Sequence, residues 1–154
     1  MSNQYYYTRI NGKQGVDDEY YTQAKDVAKI LSDFDLSSYS VYCPCDSEKS
    51  EWVKYLKGKC GKLTYTSDDW HNHLDLIDEA DFIITNPPFK GWMEFFKAVK
   101  HKHCILIASS LSINNMLKYI DCSKLHLICC VNDFIRPDGT KKKVPCVAFY
   151  YEGD

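Results

Sequence analysis

Asp81-Phe-Ile-Ile-Thr85 is a short apolar run that stops at Asn86-Pro87-Pro88-Phe89. A continuous apolar run of this length, ended by residues that cannot continue a ladder, reads as a strand buried on both faces. Such a strand needs neighbours on each side and helices above and below it, which confines the chain to an α/β sandwich.

The remaining periodicity agrees. From Thr22, a predicted N-cap, the residues Ala24, Val27, Ala28, Ile30, Leu31 and Phe34 recur at helical spacing. Ser38–Asp46 is β-rich, Ser47–Ser50 opens a helix carrying Trp52, Val53, Tyr55 and Leu56, and Cys60-Gly61 closes it. Lys62–Thr66 reads as a strand, Leu74–Glu79 as a helical turn, and Trp92, Phe95, Phe96 and Val99 as a helix face. His103–Ala108 (strand), Ser112–Ile120 (helix) and Leu125–Val131 (strand) follow. Arg136–Thr140 then carries turn residues before a last strand, Val144–Tyr151, so the chain is expected to close on an antiparallel pair. The prediction is a mostly parallel sheet with one reversed strand. Residues 1–16 read as an N-terminal arm and 17–154 as a single domain.

Composition narrows the function classes. The chain has 154 residues, 19 basic and 21 acidic, net charge −2, so it is not a basic protein that coats nucleic acid. Lys141-Lys142-Lys143 reads as a solvated turn edge. No apolar stretch is long enough to span a bilayer, and MSNQYYYTRI lacks the basic flank and apolar run of a secretory signal. With no export, the eight cysteines are expected to be reduced, small, buried hydrophobes, and the expected location is the cytoplasm. His71 and His73, beside Asp75, lack the second ligand pair of a metal site, so no metal is expected.

The chemistry concentrates at Asn86-Pro87-Pro88-Phe89. In open α/β sheets ligands sit beyond the carboxyl ends of the strands, where this loop falls. The prolines stiffen it and leave carbonyls free to accept, Asn86 adds a side-chain acceptor, and Phe89 adds a stacking face. Acceptors beside an aromatic face suit a planar ring bearing an exocyclic NH₂. Trp92 reads as core.

N-P-P-F is also the signature of S-adenosylmethionine (SAM) dependent amino-methyltransferases. DEYYTQ at 18–23, VYCPCDSEKSEWVKYL at 41–56, EADFIITNPPF at 79–89 and the ending FIRPDGTKKKVPCVAFYY resemble the EcoRI-type adenine-specific DNA methyltransferases, in order over roughly 17–151. The resemblance implies a Rossmann-like methyltransferase fold with a seven-stranded sheet, SAM as cofactor, and N6-methylation of adenine in DNA, on a base extruded from the duplex or presented single-stranded. By the same resemblance Asn86, Pro87, Pro88 and Phe89 are catalytic. Tyr21 and Thr22 touch the methionine end of SAM. Cys43, Pro44, Cys45 and Asp46 form the first-strand loop around its amino-acid part, Asp46 meeting the ammonium. Ser67, Asp68 and Asp69 stand where an acid holds the ribose hydroxyls, and Lys90 meets a phosphate beside the base.

Two departures matter. The first-strand loop has no glycines, the run Asp46-Ser-Glu-Lys-Ser50 looking like the family's own substitute, and no counterpart of the target-recognition region of longer family members is expected here. With only Arg9 and Arg136 to read guanines, specificity is expected to be low or to come from a partner or a second copy. Stand-alone copies of this size are common in phage genomes, which would make the host cytoplasm the site of action. The competing readings are a catalytically degenerate SAM- or nucleic-acid-binding regulator, and a methyltransferase acting on RNA or on glutamine side chains.

Overall fold

A computed structural model describes residues 20–154, in which strand and helix alternate. The expected arm (1–16) and the acidic run Asp17–Glu19 lie outside the described residues. The elements are β1 (Tyr21–Thr22), α1 (Ala24–Leu31), β2 (Ser40–Cys43), α2 (Glu51–Leu56), β3 (Lys62–Tyr65), α3 (Leu74–Glu79), β4 (Phe82–Thr85), α4 (Trp92–Val99), β5 (His103–Ser109), α5 (Ser110–Met116), β6 (Leu125–Ile135) and β7 (Lys141–Tyr151).

The strands form one seven-stranded sheet in the order β1-β6-β7-β5-β4-β2-β3. β3, β2, β4 and β5 are mutually parallel. β7 runs against β5, and β6 against β7. β6 therefore points the same way as β4. The sheet is mixed, because a second reversed strand adds to the expected one: β1 pairs antiparallel with β6 at its edge, Tyr21 opposite Ile135 and Thr22 opposite Phe134. Thr22 is thus a strand residue and not the cap of α1; that position falls to Gln23, which makes no side-chain capping bond. The β-favouring Tyr-Thr pair finds an open ladder on β6, which outweighs local capping.

Strand alternation sorts the core into two layers. Val41, Cys43, Phe82, Ile84, Ile105 and Ile107 face α1 and α2, where Ile30, Trp52 and Leu56 pack. Tyr42, Ile83, Cys104, Leu106 and Ala108 face α3, α4 and α5, where Ile77, Trp92 and Phe96 pack. β4 is buried along its whole length. Each of its isoleucines contributes about 1.5–3 kcal/mol of burial, so the position of its tip is well determined.

The closing hairpin is longer than expected. β6 continues through Asn132 and Asp133 to Ile135, and β7 begins at Lys141. Lys141, Lys142 and Lys143 are ladder residues opposite Ile135, Phe134 and Asp133, not a turn edge. Lys and Asp disfavour strands in isolation, but a tight turn at Arg136–Thr140 fixes their register. Of the cysteines, all free, Cys43, Cys45, Cys104 and Cys146 are buried, whereas Cys122 and Cys130 are exposed.

Candidate active site

Beyond the carboxyl ends of β2 and β4, next to the antiparallel edge strand β1, lies a cavity of about 860 Å³, within the ~300–1,000 Å³ of small-molecule sites. Its wall includes Tyr21, Thr22, Cys45, Asp46, Ser67 and Asn86, all anticipated from the sequence, together with Lys49 of the 46–50 loop run, and also Tyr20, Gln23, Trp52 and Ile135, which were not.

Asn86 is the first residue after β4 and is 8% exposed. Its Nδ2 donates to the Tyr20 carbonyl at 3.1 Å. A carbonyl only accepts, so this bond fixes which way the amide faces and leaves Oδ1 as the remaining acceptor. That oxygen is buried and has no partner among the described residues. Leaving a buried acceptor unmet costs about 1–3 kcal/mol, so the corner is incomplete as a purely structural element. The Thr22 hydroxyl and the Trp52 indole N–H are in the same condition. Three unmet polar groups on the wall of one cavity are a feature expected of a ligand site.

Asp46 is the second organising group. Ser50 Oγ donates to one carboxylate oxygen at 2.7 Å and Thr85 Oγ1, from the tip of β4, to the other at 2.8 Å. Burial raises its pKa to about 6, against the pull of the two hydroxyl bonds, which favour the ionised form. The helix-capping role open to Asp46 is taken by Ser50, whose side chain accepts from Trp52 N. The Asp46 carboxylate makes no cap bond to an α2 amide itself; it holds the capping Ser50 and lies on the cavity wall.

The remaining expected residues divide. Cys43 and Pro44 are buried behind the cavity, and only Cys45 of that pair of thiols reaches its wall. Asp68 and Asp69 do not line it. His73 Nε2 lies 2.6 Å from Asp68, and Asp69 caps the 3₁₀ turn at Trp70–His73 and binds the His71 ring at 2.6 Å. The two acids expected at the ribose are engaged in local turn chemistry instead, and Ser67 alone represents that loop in the cavity. His71 also meets Glu94 at 2.9 Å; partial burial lowers its pKa, but the bonds to Glu94 and Asp69 outweigh that and leave it above the ordinary histidine value. Among the described residues no cluster of three or more His, Cys, Asp or Glu could hold a metal ion.

Pro87 and Pro88 are buried, while Phe89 is half-buried and tilted against Tyr20 with ring centroids 5.3 Å apart. Lys90 is exposed outside the cavity. Gly91, at φ +74°, turns the chain into α4, which a side-chain-bearing residue would do only with strain. Trp92 is core, donating to the Ile107 carbonyl at 2.9 Å. The cavity residues missed by the sequence reading come from pairings it could not see. Ile135 arrives through the extension of β6, and Trp52 read only as the apolar face of α2.

No protein-family model and no curated protein matches the sequence. Solved structures do. A precorrin-6y C5,15-methyltransferase from Geobacter metallireducens is 14% identical with a TM-score of 0.54, covering 90% of this chain and 96% of its own. A protein from Pyrococcus horikoshii, provisionally named an RNA methyltransferase, is 12% identical with a TM-score of 0.52, covering 89% of each chain. No helix among the described residues is long and apolar enough to cross a membrane. The described residues carry a methyltransferase-like α/β fold with a seven-stranded sheet.

Proposed function

We propose that this chain is a SAM-dependent methyltransferase that modifies the N6 amino group of adenine in DNA. The observation that carries the reading is the buried Oδ1 of Asn86 at the tip of β4, without a partner among the described residues, on the wall shared with Asp46. The resemblance of residues 17–151 to EcoRI-type adenine methyltransferases supplies the substrate.

The cavity fits the cofactor. Asp46 offers a carboxylate to an ammonium, and the Thr22 hydroxyl and Trp52 N–H offer the donors that a carboxylate lacks on its own. When bound, SAM supplies a methyl group activated by its sulfonium. Asn86 accepts from the amine of the incoming base, its own amide held in orientation by the Tyr20 carbonyl. Pro87 and Pro88 hold the following backbone extended, so that the corner is set before the base arrives. A preset acceptor orients the amine lone pair and costs no reorganisation during transfer. An amine nucleophile needs no base to deprotonate it before attack and sheds its extra proton to water after transfer, so the chain is not required to place a histidine in the cavity.

The test is product analysis. Purified protein is incubated with SAM bearing a deuterated methyl group and, in parallel, mixed-sequence DNA and RNA, and the digested nucleosides are analysed by mass spectrometry. Labelled N6-methyldeoxyadenosine from the DNA arm is the expected product. Label confined to the RNA arm changes the substrate, and no label in either arm removes the nucleic-acid substrate.

A further inference from the structure

We propose that the β6–β7 hairpin binds the phosphate backbone of a polynucleotide alongside the cavity. The inference rests on the nucleic-acid reading above and specifies a surface for it. β6 runs parallel to β4, so the hairpin leaves the sheet at the edge that carries Asn86. Ile135, the last residue of β6, lines the cavity, and Arg136 follows it directly. In an antiparallel ladder residues directly opposite share a face. Tyr21, Ile135 and Lys141 therefore form one row across β1, β6 and β7, with the first two on the cavity wall.

Arg136, Lys141, Lys142 and Lys143 place four cations on this hairpin against two acids, in a chain whose net charge is −2. None of the four makes an ion pair with a described residue, whereas Lys54 pairs with Glu51 and Lys100 with Asp154. One of the acids is committed within the turn: Asp138 accepts from Thr140 N at 2.9 Å and Thr140 Oγ1 at 2.6 Å. The other, Asp133, stands across the ladder from Lys143 and forms no ion pair with a described residue. The Nε of Arg136 is buried without a described partner. The turn is closed by backbone bonds: Arg136 N donates to Thr140 O at 2.8 Å, Gly139 N donates to Arg136 O at 2.9 Å, and Gly139 sits at φ +86°. A basic, hydrogen-bonded ribbon beside the corner where Asn86 would receive the base suits the phosphates flanking that base.

The test measures fluorescence anisotropy of labelled mixed-sequence single strands, DNA and RNA, across a salt series. Lys141→Gln/Lys143→Gln is compared with wild type and with Lys57→Gln/Lys62→Gln, a pair at the end of α2 and on the edge strand β3. The hairpin variant is expected to bind about tenfold more weakly. Its slope of log affinity against log salt should fall by about 0.7 for each phosphate that the hairpin no longer neutralises. The control variant should stay within about twofold of wild type on the same scale. Calorimetric SAM binding by the hairpin variant, unchanged from wild type, verifies that its fold is intact. Equal loss in both variants, or no binding by the wild type, overturns the proposal. Hairpin-dependent binding without methyl transfer to any base leaves the surface in place and removes the base-methylating reading. Transfer that ignores the hairpin does the reverse. The DNA and RNA arms report which backbone is preferred.

Discussion

The loops after β3 and β4 leave the same edge of the sheet on either side of β2, and both hold polar residues where a ligand would lie. Their chemistry is opposite. After β3, Asp68 and Asp69 are engaged with His73, His71 and the first amides of a 3₁₀ turn. After β4, Asn86 keeps a buried oxygen with no described partner, and Thr85 turns its hydroxyl toward Asp46. Position at the carboxyl edge nominates a loop. What separates a binding corner from a turn is whether its polar groups are already satisfied by the protein.

Substitutions can break or sharpen that contrast. Asn86→Ala should have the largest effect, lowering methyl transfer by about 10²–10³-fold, the usual consequence of deleting a preorganised partner. Calorimetric SAM affinity should stay unchanged, because the lost oxygen serves the substrate. Retained transfer would place the acceptor elsewhere.

Asp46→Asn comes next. It removes a charge-assisted bond of about 1.5–3 kcal/mol, and SAM affinity should fall by about 10–100-fold. In the wild type the carboxyl titrates near pH 6, above its ordinary value of 3.8. An ammonium ligand needs the ionised form, so affinity should fall as pH drops through 6, by about tenfold per unit once the group is protonated. The same shift has an opposite sign for the ligand-free fold. The native state holds this proton more tightly than the unfolded chain, so the stability tied to it is greatest below pH 3.8 and is lost as pH rises through 6. The Asn variant should therefore melt higher than wild type at neutral pH without ligand, an advantage that disappears toward pH 4. A flat affinity profile between pH 5 and 7 would contradict the role of Asp46.

Thr85→Val has a smaller effect on the same curve. Losing a hydroxyl that donates to the carboxylate raises Asp46 further, so the midpoint of the affinity profile moves upward. The smallest effects belong to the β3 loop. Asp68→Asn should leave SAM affinity within about twofold, because Asp68 lies off the cavity wall and is bonded to His73, and should move melting only slightly. Asp69→Ala should also spare affinity, while losing a cap worth about 1 kcal/mol, read as a melting shift of roughly 2–4 °C. A SAM defect in either variant as large as that of Asp46→Asn would erase the difference between the two loops.

Much of the fold was legible because its signals are local. Continuous apolar runs marked β4 and β5, and helical spacing marked α1, α2 and α4. The carboxyl-edge rule pointed to Asn86 and the family resemblance to Asp46 before any contact was visible, and both line the cavity. What escaped depends on distant pairing. Thr22 looked like a cap until β6 offered it a ladder, and Lys141–Lys143 looked like a turn edge until Asp133–Ile135 lay opposite. The β3 loop misled for a related reason. Whether Asp68 and Asp69 are free or bound depends on His71 and His73, only a few residues away, whose ring orientation is set by the 3₁₀ turn and not by spacing.

The most direct measurement is a crystal structure of the protein with S-adenosylhomocysteine, the demethylated cofactor. The expected result is the product in the cavity beyond β2 and β4, its ammonium hydrogen-bonded to Asp46, with Asn86 Oδ1 reachable from its sulfur end. Binding at another surface, or an Asp46 carboxylate still satisfied only by Ser50 and Thr85 while the product lies elsewhere, would contradict it.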